Sequence, residues 1–181
     1  NPELRVKVVS ATAELAGNIV AEIQRHIDHN GRVRLVFPHL RPDQKGPWSR
    51  GELLVQRKSL AKDPSVVAAG ILGSGVGGRA DLIVFDDVCD QRNAILQPAM
   101  RDQIKLTFHE TWENLLGPEG RAVYIATVWH VDDLTMELHG SRAWQVWWRP
   151  ARDSVNGELL WPERWTEKAL ARREREIGAR S

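Results

Sequence analysis

The 181 residues include one cysteine, Cys89, so no disulfide can close within the chain and no four-cysteine zinc site is available. An excess of one charge is also missing. Lys and Arg number 25 against 24 Asp and Glu, for a net charge of +1. No bulk field draws the chain to nucleic acid, and any such contact needs a local patch. No apolar run approaches the roughly 18 residues that a membrane helix requires, so the expectation is a protein that does not span a membrane by a helix. The opening Asn1-Pro2-Glu3-Leu4-Arg5 is polar, without an initiator Met and without a signal-peptide pattern. A strand pattern follows at once, as expected of a segment from inside a longer protein.

What is present is an ordinary globular balance, 42% hydrophobic and 27% charged, in a length suited to one domain with a core or one domain with a helical piece appended. Tryptophan is abundant. Eight occur, and Trp112, Trp129, Trp144, Trp147, Trp148, Trp161 and Trp165 all fall in the second half. Packing is the first reading for these large rings.

No internal repeat is visible. Residues 5–9 alternate as a strand, and Ser10 to Thr12 offers a helix start. Leu15, Ile19, Ile23 and Ile27 recur every four residues as one apolar stripe, which Asn30-Gly31 ends. Residues 31–50 read as a long irregular connection, and 53–55 as a short strand. Residues 64–69 lead into a glycine-rich run. Residues 81–87 read as a strand buried on both faces. A helical region follows over about 91–116, with Ile104, Phe108, Thr111 and Leu115 on one face, broken by Gly117-Pro118-Glu119-Gly120. Residues 122–127 read as another buried strand, and Asp132 or Asp133 opens a short helix. Residues 144–148 read as a Trp-rich strand and 166–177 as a charged helix. This order predicts an α/β fold with a mostly parallel sheet flanked by helices.

Leu82-Ile83-Val84-Phe85-Asp86-Asp87 is the strongest chemical signal. Four apolar residues followed by two acids match the Walker B pattern of P-loop ATPases. A buried strand delivers both carboxylates to the C-terminal edge of the sheet, where open α/β folds bind ligands. The first acid, Asp86, suits Mg²⁺; the second, Asp87, suits polarisation of the attacking water. The plainer alternative is a strand that ends in a turn capped by Asp.

Gly73-Ser74-Gly75-Val76-Gly77-Gly78 formally satisfies G-x-G-x-x-G, but a dinucleotide fingerprint follows a strand and opens a helix. Here a strand follows, and no G-K-[ST] completes a phosphate loop anywhere in the chain. Arg79, at the end of the run, is either a phosphate-reaching guanidinium or a surface arginine. The stretch Ile125 to Leu134 carries Thr127, Trp129, His130, Asp132 and Asp133. Its plain reading is cap, core and surface. A rival groups His130 with Asp86, Asp87 and Asp133 around two divalent ions for phosphoester hydrolysis.

The order of these pieces resembles the tailed-phage terminase large subunit. Gly78-Arg79-Ala80-Asp81 leading into Leu82 to Asp87 is similar to its G-R-x-D-L-I-V-x-D-D. The approach Trp112 to Pro118 is similar to its L-x-P-G-G-R. Ile125 to Leu134 is similar to its coupling motif I-G-T-R-W-H-x-D-D-L. Pro150-Ala151 with Leu160-Trp161-Pro162-Glu163-Arg164-Trp165 is similar to its P-A … L-W/F-P-E-R-F. The resemblance runs from about residue 5 to 178. Ala126 stands where Gly is usual, and Val128 where Arg is common.

This resemblance implies a P-loop NTPase-like fold of the additional-strand, conserved-glutamate class, incomplete at its N-terminus. Residues 1–150 would be the ATPase core, and 151–181 a linker or lid towards a nuclease domain. It implies an enzyme, an ATPase using ATP and Mg²⁺ that translocates double-stranded DNA into a capsid during virion assembly in the host cytoplasm. Its partners would be DNA, a portal protein, a small terminase subunit and further copies in a homo-oligomeric ring. Carried across, Asp86 is the metal-side acid and Asp87 the catalytic carboxylate. Arg79 is a candidate arginine finger, acting in its own or a neighbouring subunit, and Thr127, Trp129, His130 and Asp133 belong to the coupling motif. The Walker A loop is expected before residue 5, so the chain alone is expected not to hydrolyse ATP measurably. Alternatives are a non-catalytic prophage remnant or binding module, a metal-dependent phosphoesterase, and a helicase-like ATPase.

Overall fold

The computed structural model describes residues 1–73, 77–153 and 155–178. They form two compact units, Asn1–Ser141 and Arg142–Ser181. The first is an α/β layer structure. Its strands are β1 (Val6–Ser10), β2 (Glu52–Leu53), β3 (Val66–Gly70), β4 (Ala80–Asp86) and β5 (Leu116–Ile125). The order across the sheet is β2-β3-β1-β4-β5. All neighbours are parallel except β2, which runs antiparallel to β3. The expected mostly parallel sheet is therefore present.

Helix α1 (Ala13–His29) starts where Thr12 caps it, its hydroxyl accepting from the Leu15 amide at 3.2 Å. The core-facing stripe is rotated by one residue from the expected one. Ala16 and Val20 are fully buried against Val8 and Leu53, while Ile19 and Ile23 pack at the margin and Leu15 is exposed. Small residues let the helix axis approach the sheet, so they, not the larger aliphatics, take the centre. Asn30 ends α1, and its side chain accepts from Arg32 and Val33 to cap a second short helix, α2 (Gly31–Val36). That helix lies in the stretch expected to be irregular. Strand β3 has no clear sequence signal either: its Val-Val-Ala-Ala-Gly run is too short and too small to announce a strand. Gly70 closes it where a Cβ would lie 2.9 Å from the Ala13 amide nitrogen.

The helical region after β4 is not one helix. A π-helical turn (Gln91–Leu96) precedes α3 (Pro98–Thr107); a second π turn (Phe108–Trp112) and a 3₁₀ turn (Glu113–Leu115) follow it. Pro98 accounts for the break: it forces Gln97 out of the helical region, to φ −131° and ψ 81°. The buried series is Ile104, Phe108 and Trp112, with Trp112 in the place expected for Thr111.

Successive strand residues face opposite sides. Val8 faces α1, and Val9, which pairs with Phe85, faces the other layer. There Phe85 packs at 4.9 Å from Phe108, 6.1 Å from Trp112 and 6.1 Å from Tyr124, centroid to centroid. The Trp112 indole N–H donates to the Ile71 carbonyl at 2.9 Å. At the other end of β4, Arg5 grips Asp81 through its backbone N–H, Nε and Nη2 at 2.8, 3.0 and 2.7 Å. This holds the Asp81 carboxyl below its usual range.

Strand β5, expected to be buried, is an edge strand among the described residues. Tyr124 faces the aromatic cluster, but Val123 and Ile125 are 45% and 54% exposed. Helix α4 (Leu134–Gly140) completes the unit. In the second unit, α5 (Glu167–Gly178) is the expected charged helix. Residues 144–148 are not a strand; β-propensity reports fitness for a half-buried pleat, and no strand pairs with them among the described residues. No helix among the described residues is long and apolar enough to cross a membrane.

Phe85→Ala is expected to destabilise the chain by about 3–5 kcal/mol, because it opens a cavity inside a closed aromatic cluster. Urea unfolding followed by circular dichroism measures this, and a loss below about 1 kcal/mol would contradict the central role given to Phe85.

Candidate functional site

The parallel strands β1, β3, β4 and β5 all end on the same edge of the sheet. Two carboxylates stand there. Asp86 closes β4 opposite Ile125, and Asp87 follows it outside the ladder. Burial, and then the neighbouring Asp87 charge, push the Asp86 carboxyl above its ordinary range. A cation at this edge would relieve that repulsion. Asp87 is exposed and has φ +43°, a left-handed conformation found at no other described non-glycine residue. Its N–H still donates to the Ile125 carbonyl at 3.0 Å, so the turn is fastened to β5. Asp tolerates this region better than branched residues do, and a twisted backbone at a sheet edge re-aims the side chain out of the pleat.

Just past β5 lies the loop with Thr127, Trp129 and His130. Its organiser is Asp133, which is fully buried. One carboxylate oxygen accepts from the Trp129 and His130 amides at 2.9 and 3.0 Å. The other accepts from Met136 at 2.9 Å and so caps α4. The His130 ring nitrogen Nδ1 accepts from the Asp132 amide at 3.0 Å. Thr127 and Trp129 are exposed. Thus Asp86, Asp87 and Thr127 gather at one edge, while Asp133 works behind the loop as its fastener.

A row of charged side chains on α3 and the π turn after it braces this loop and α4. Arg101, Lys105 and His109 recur every four residues. Lys105 Nζ lies 2.6 Å from Asp132 and 3.6 Å from Glu137, and Arg101 lies 3.5 Å from Asp132. His109 sits between Glu113 at 2.8 Å and Glu137 at 2.6 Å. Glu113 first, and Glu137 after it, hold the His109 imidazole above its ordinary pKa against the opposing effect of burial. Sequence reading missed this brace. The four-residue spacing of Arg101, Lys105 and His109 was visible, but their partners come from a different element.

Arg79 is elsewhere. It precedes β4 at the opposite end of the strand from Asp86, seven residues away, or about 23 Å at strand rise. Its backbone N–H lies 3.4 Å from Asp63, and its guanidinium reaches the Asn114 carbonyl at 3.5 Å. The structure does not bring it to the acids within one chain. Gly78 before it has φ +79°, and a Cβ there would run into an Asp63 carboxylate oxygen, so glycine is required at that corner. Residues 74–76 of the glycine run lie outside the described residues.

The two-metal grouping of His130, Asp86, Asp87 and Asp133 is not assembled. Asp133 commits its oxygens to backbone amides, and among the described residues no set of three or more His, Cys, Asp or Glu is placed to hold a metal. Asp86 and Asp87 are the two acids left at this edge that a cation could share. A phosphate cradle is not among the described residues.

Over 174 aligned residues the chain is 30% identical to the large terminase subunit of Enterobacteria phage T3. The similarity is to a phage terminase large subunit. The alignment covers 90% of this chain and 28% of that protein, so the chain spans well under half of its relative. No protein-family model matches it. The terminase resemblance read from the motif order is therefore supported along nearly the whole chain.

Asp133→Ala leaves three amides without their acceptor and removes a helix cap, with an expected loss of at least about 2 kcal/mol. The amides of Trp129, His130 and Met136 should then exchange faster with solvent; unchanged protection would show that another group holds the loop. The His109 brace predicts a pH dependence of known sign. A raised folded pKa adds stability that is complete below the unfolded value and is lost as pH rises through the folded one. Melting followed between about pH 5 and 9, a range spanning histidine titration, should show that loss in the wild type and not in His109→Gln. Identical profiles would contradict the brace.

Proposed function

We propose that the chain is part of an ATP-hydrolysing DNA-packaging motor, a segment of the ATPase core of a terminase large subunit. The observation that carries this reading is the adjacent pair Asp86 and Asp87 at the C-terminal edge of a central parallel strand, with the Thr127–Asp133 loop beside it. In this reading Asp86 takes the Mg²⁺ side, and Asp87 orients the attacking water. Thr127, Trp129 and His130 carry the nucleotide state outwards, held in shape by Asp133. Arg79, at the far end of β4, acts only towards a neighbouring subunit of a homo-oligomeric ring. DNA, a portal protein and a small terminase subunit are its partners, in the host cytoplasm.

The exposed side of β5 supports the same reading. Val123 and Ile125 share a sheet face with Val84 and Asp86, and among the described residues α1 packs over β1, β2 and β3 instead. β5 also has no strand partner on its outer edge among the described residues. A strand and helix supplied by another part of the longer protein fit beside Asp86, and a phosphate-binding loop between them would face both acids.

The test is DNA-stimulated ATPase activity of the longer protein, extended upstream, as wild type and as Asp87→Asn. Turnover should fall by about 10²–10⁴-fold with folding intact, and the 181-residue chain alone should show none. Unchanged turnover in Asp87→Asn would move the catalytic acid elsewhere. Inactivity of the wild type would favour a remnant without turnover.

A further inference from the structure

The near-zero net charge conceals a division. Residues 1–141 carry sixteen Lys and Arg against eighteen Asp and Glu, whereas residues 142–181 carry nine against six, a net +3 in forty residues. The same short unit holds five of the eight tryptophans. Among them, Trp147 is 77% exposed, Trp161 54% and Trp165 41%. Large aromatic rings left in water beside arginines have the composition enriched at recognition surfaces.

Two of these rings carry a guanidinium. Arg149 lies 5.7 Å from the centre of the Trp147 ring, and Arg164 lies 5.1 Å from that of Trp161. An arginine held on an indole keeps its charge; Arg149 also acts on Asp153, whose carboxyl the Val155 and Asn156 amides first, and the Arg149 charge after them, hold below its ordinary range. Arg152, by contrast, is bound by Glu167 through two hydrogen bonds of 2.7 Å. Along α5 runs an open groove of about 470 Å³ with Trp165 at its end. Lys168, Arg172, Arg173 and Arg175 line it, and its single carboxylate, Glu176, is shared by Arg172 at 2.8 Å and Arg173 at 3.3 Å. One carboxylate among four cations leaves the groove net positive, which suits an anionic occupant.

We propose that the described residues between 142 and 178 form a binding surface for an unpaired DNA strand, its phosphates met by the arginines and its bases by the exposed tryptophans. Charge alone would suit any polyanion. The indoles favour an unpaired strand, because in a duplex the base faces are stacked away and only the backbone is offered. The choice of DNA over RNA rests on the packaging reading; the surface itself does not depend on ATP hydrolysis.

The experiment is fluorescence anisotropy of the 181-residue chain with an end-labelled single-stranded oligonucleotide at low salt, beside the blunt duplex and the RNA of the same sequence. The single strand is expected to bind more tightly than the duplex. Trp147→Ala and Trp161→Ala should each weaken it by about tenfold, the scale of one base–aromatic stack, while Trp147→Phe, which keeps an aromatic face, should lose much less. Arg172→Ala with Arg173→Ala should lower the slope of log affinity against log salt by about 0.7 for each phosphate no longer neutralised. Circular dichroism checks that the variants fold. No binding of the single strand, duplex binding indifferent to both tryptophans, or equal losses in Trp147→Ala and Trp147→Phe would overturn the proposal. RNA bound more tightly than DNA would overturn the choice of DNA. None of these outcomes bears on Asp87-dependent ATPase activity, which is measured separately.

Discussion

Phe85 occupies the inner face of β4 one residue before the acids, and Phe108, Trp112 and Tyr124 close around it. These rings come from three separate stretches of chain: the strand, the helical turns that follow it and the neighbouring strand β5. Each buries a large apolar area, and together they fix how the helical layer sits on the sheet. Because Phe85 cannot move without disturbing all of them, the end of β4 is held firmly. The Asp86–Asp87 turn projects from a rigid support, as a site built on strands requires.

The loop beyond β5 is held in a different way. It leaves its large apolar side chains, Val128, Trp129 and Val131, exposed, and its shape comes from polar groups that must be satisfied inside the fold. Asp133 supplies acceptors to three amides, and the α3 cations hold Asp132 and Glu137 from outside. A loop fixed by hydrogen bonds and ion pairs opens locally at less cost than a packed strand. Movement in this unit is therefore expected between the acid edge and α4, with β4 staying still.

Much of this was legible in the linear chain. The apolar run ending in two acids announced β4 and its edge, and the stretch Ser10 to Thr12 and the pair Asp132-Asp133 announced helix starts by their capping chemistry. Other features were not legible. β3 is short and built of small residues, and α2 is a short capped helix set among loop signals. Pro98 divides what periodicity reads as one helix. Trp144 to Trp148 had strand-like composition, but no strand lies beside them among the described residues. In each case pattern recorded a local preference, and the neighbours decided the outcome.

The sequence by itself determined the parallel α/β architecture, the carboxylate pair at the end of a core strand, and the motif order shared with a terminase large subunit. It did so because apolar periodicity and capping are local properties that survive in one dimension. Only the tertiary structure decided that β5 has no partner on its outer edge among the described residues and that Asp133 is a fastener. It also decided that Arg101 and Lys105 meet Asp132 in the loop beyond β5, and that His109 meets Glu137 on α4. These depend on which residues meet across elements distant in sequence, and spacing along the chain does not carry that information.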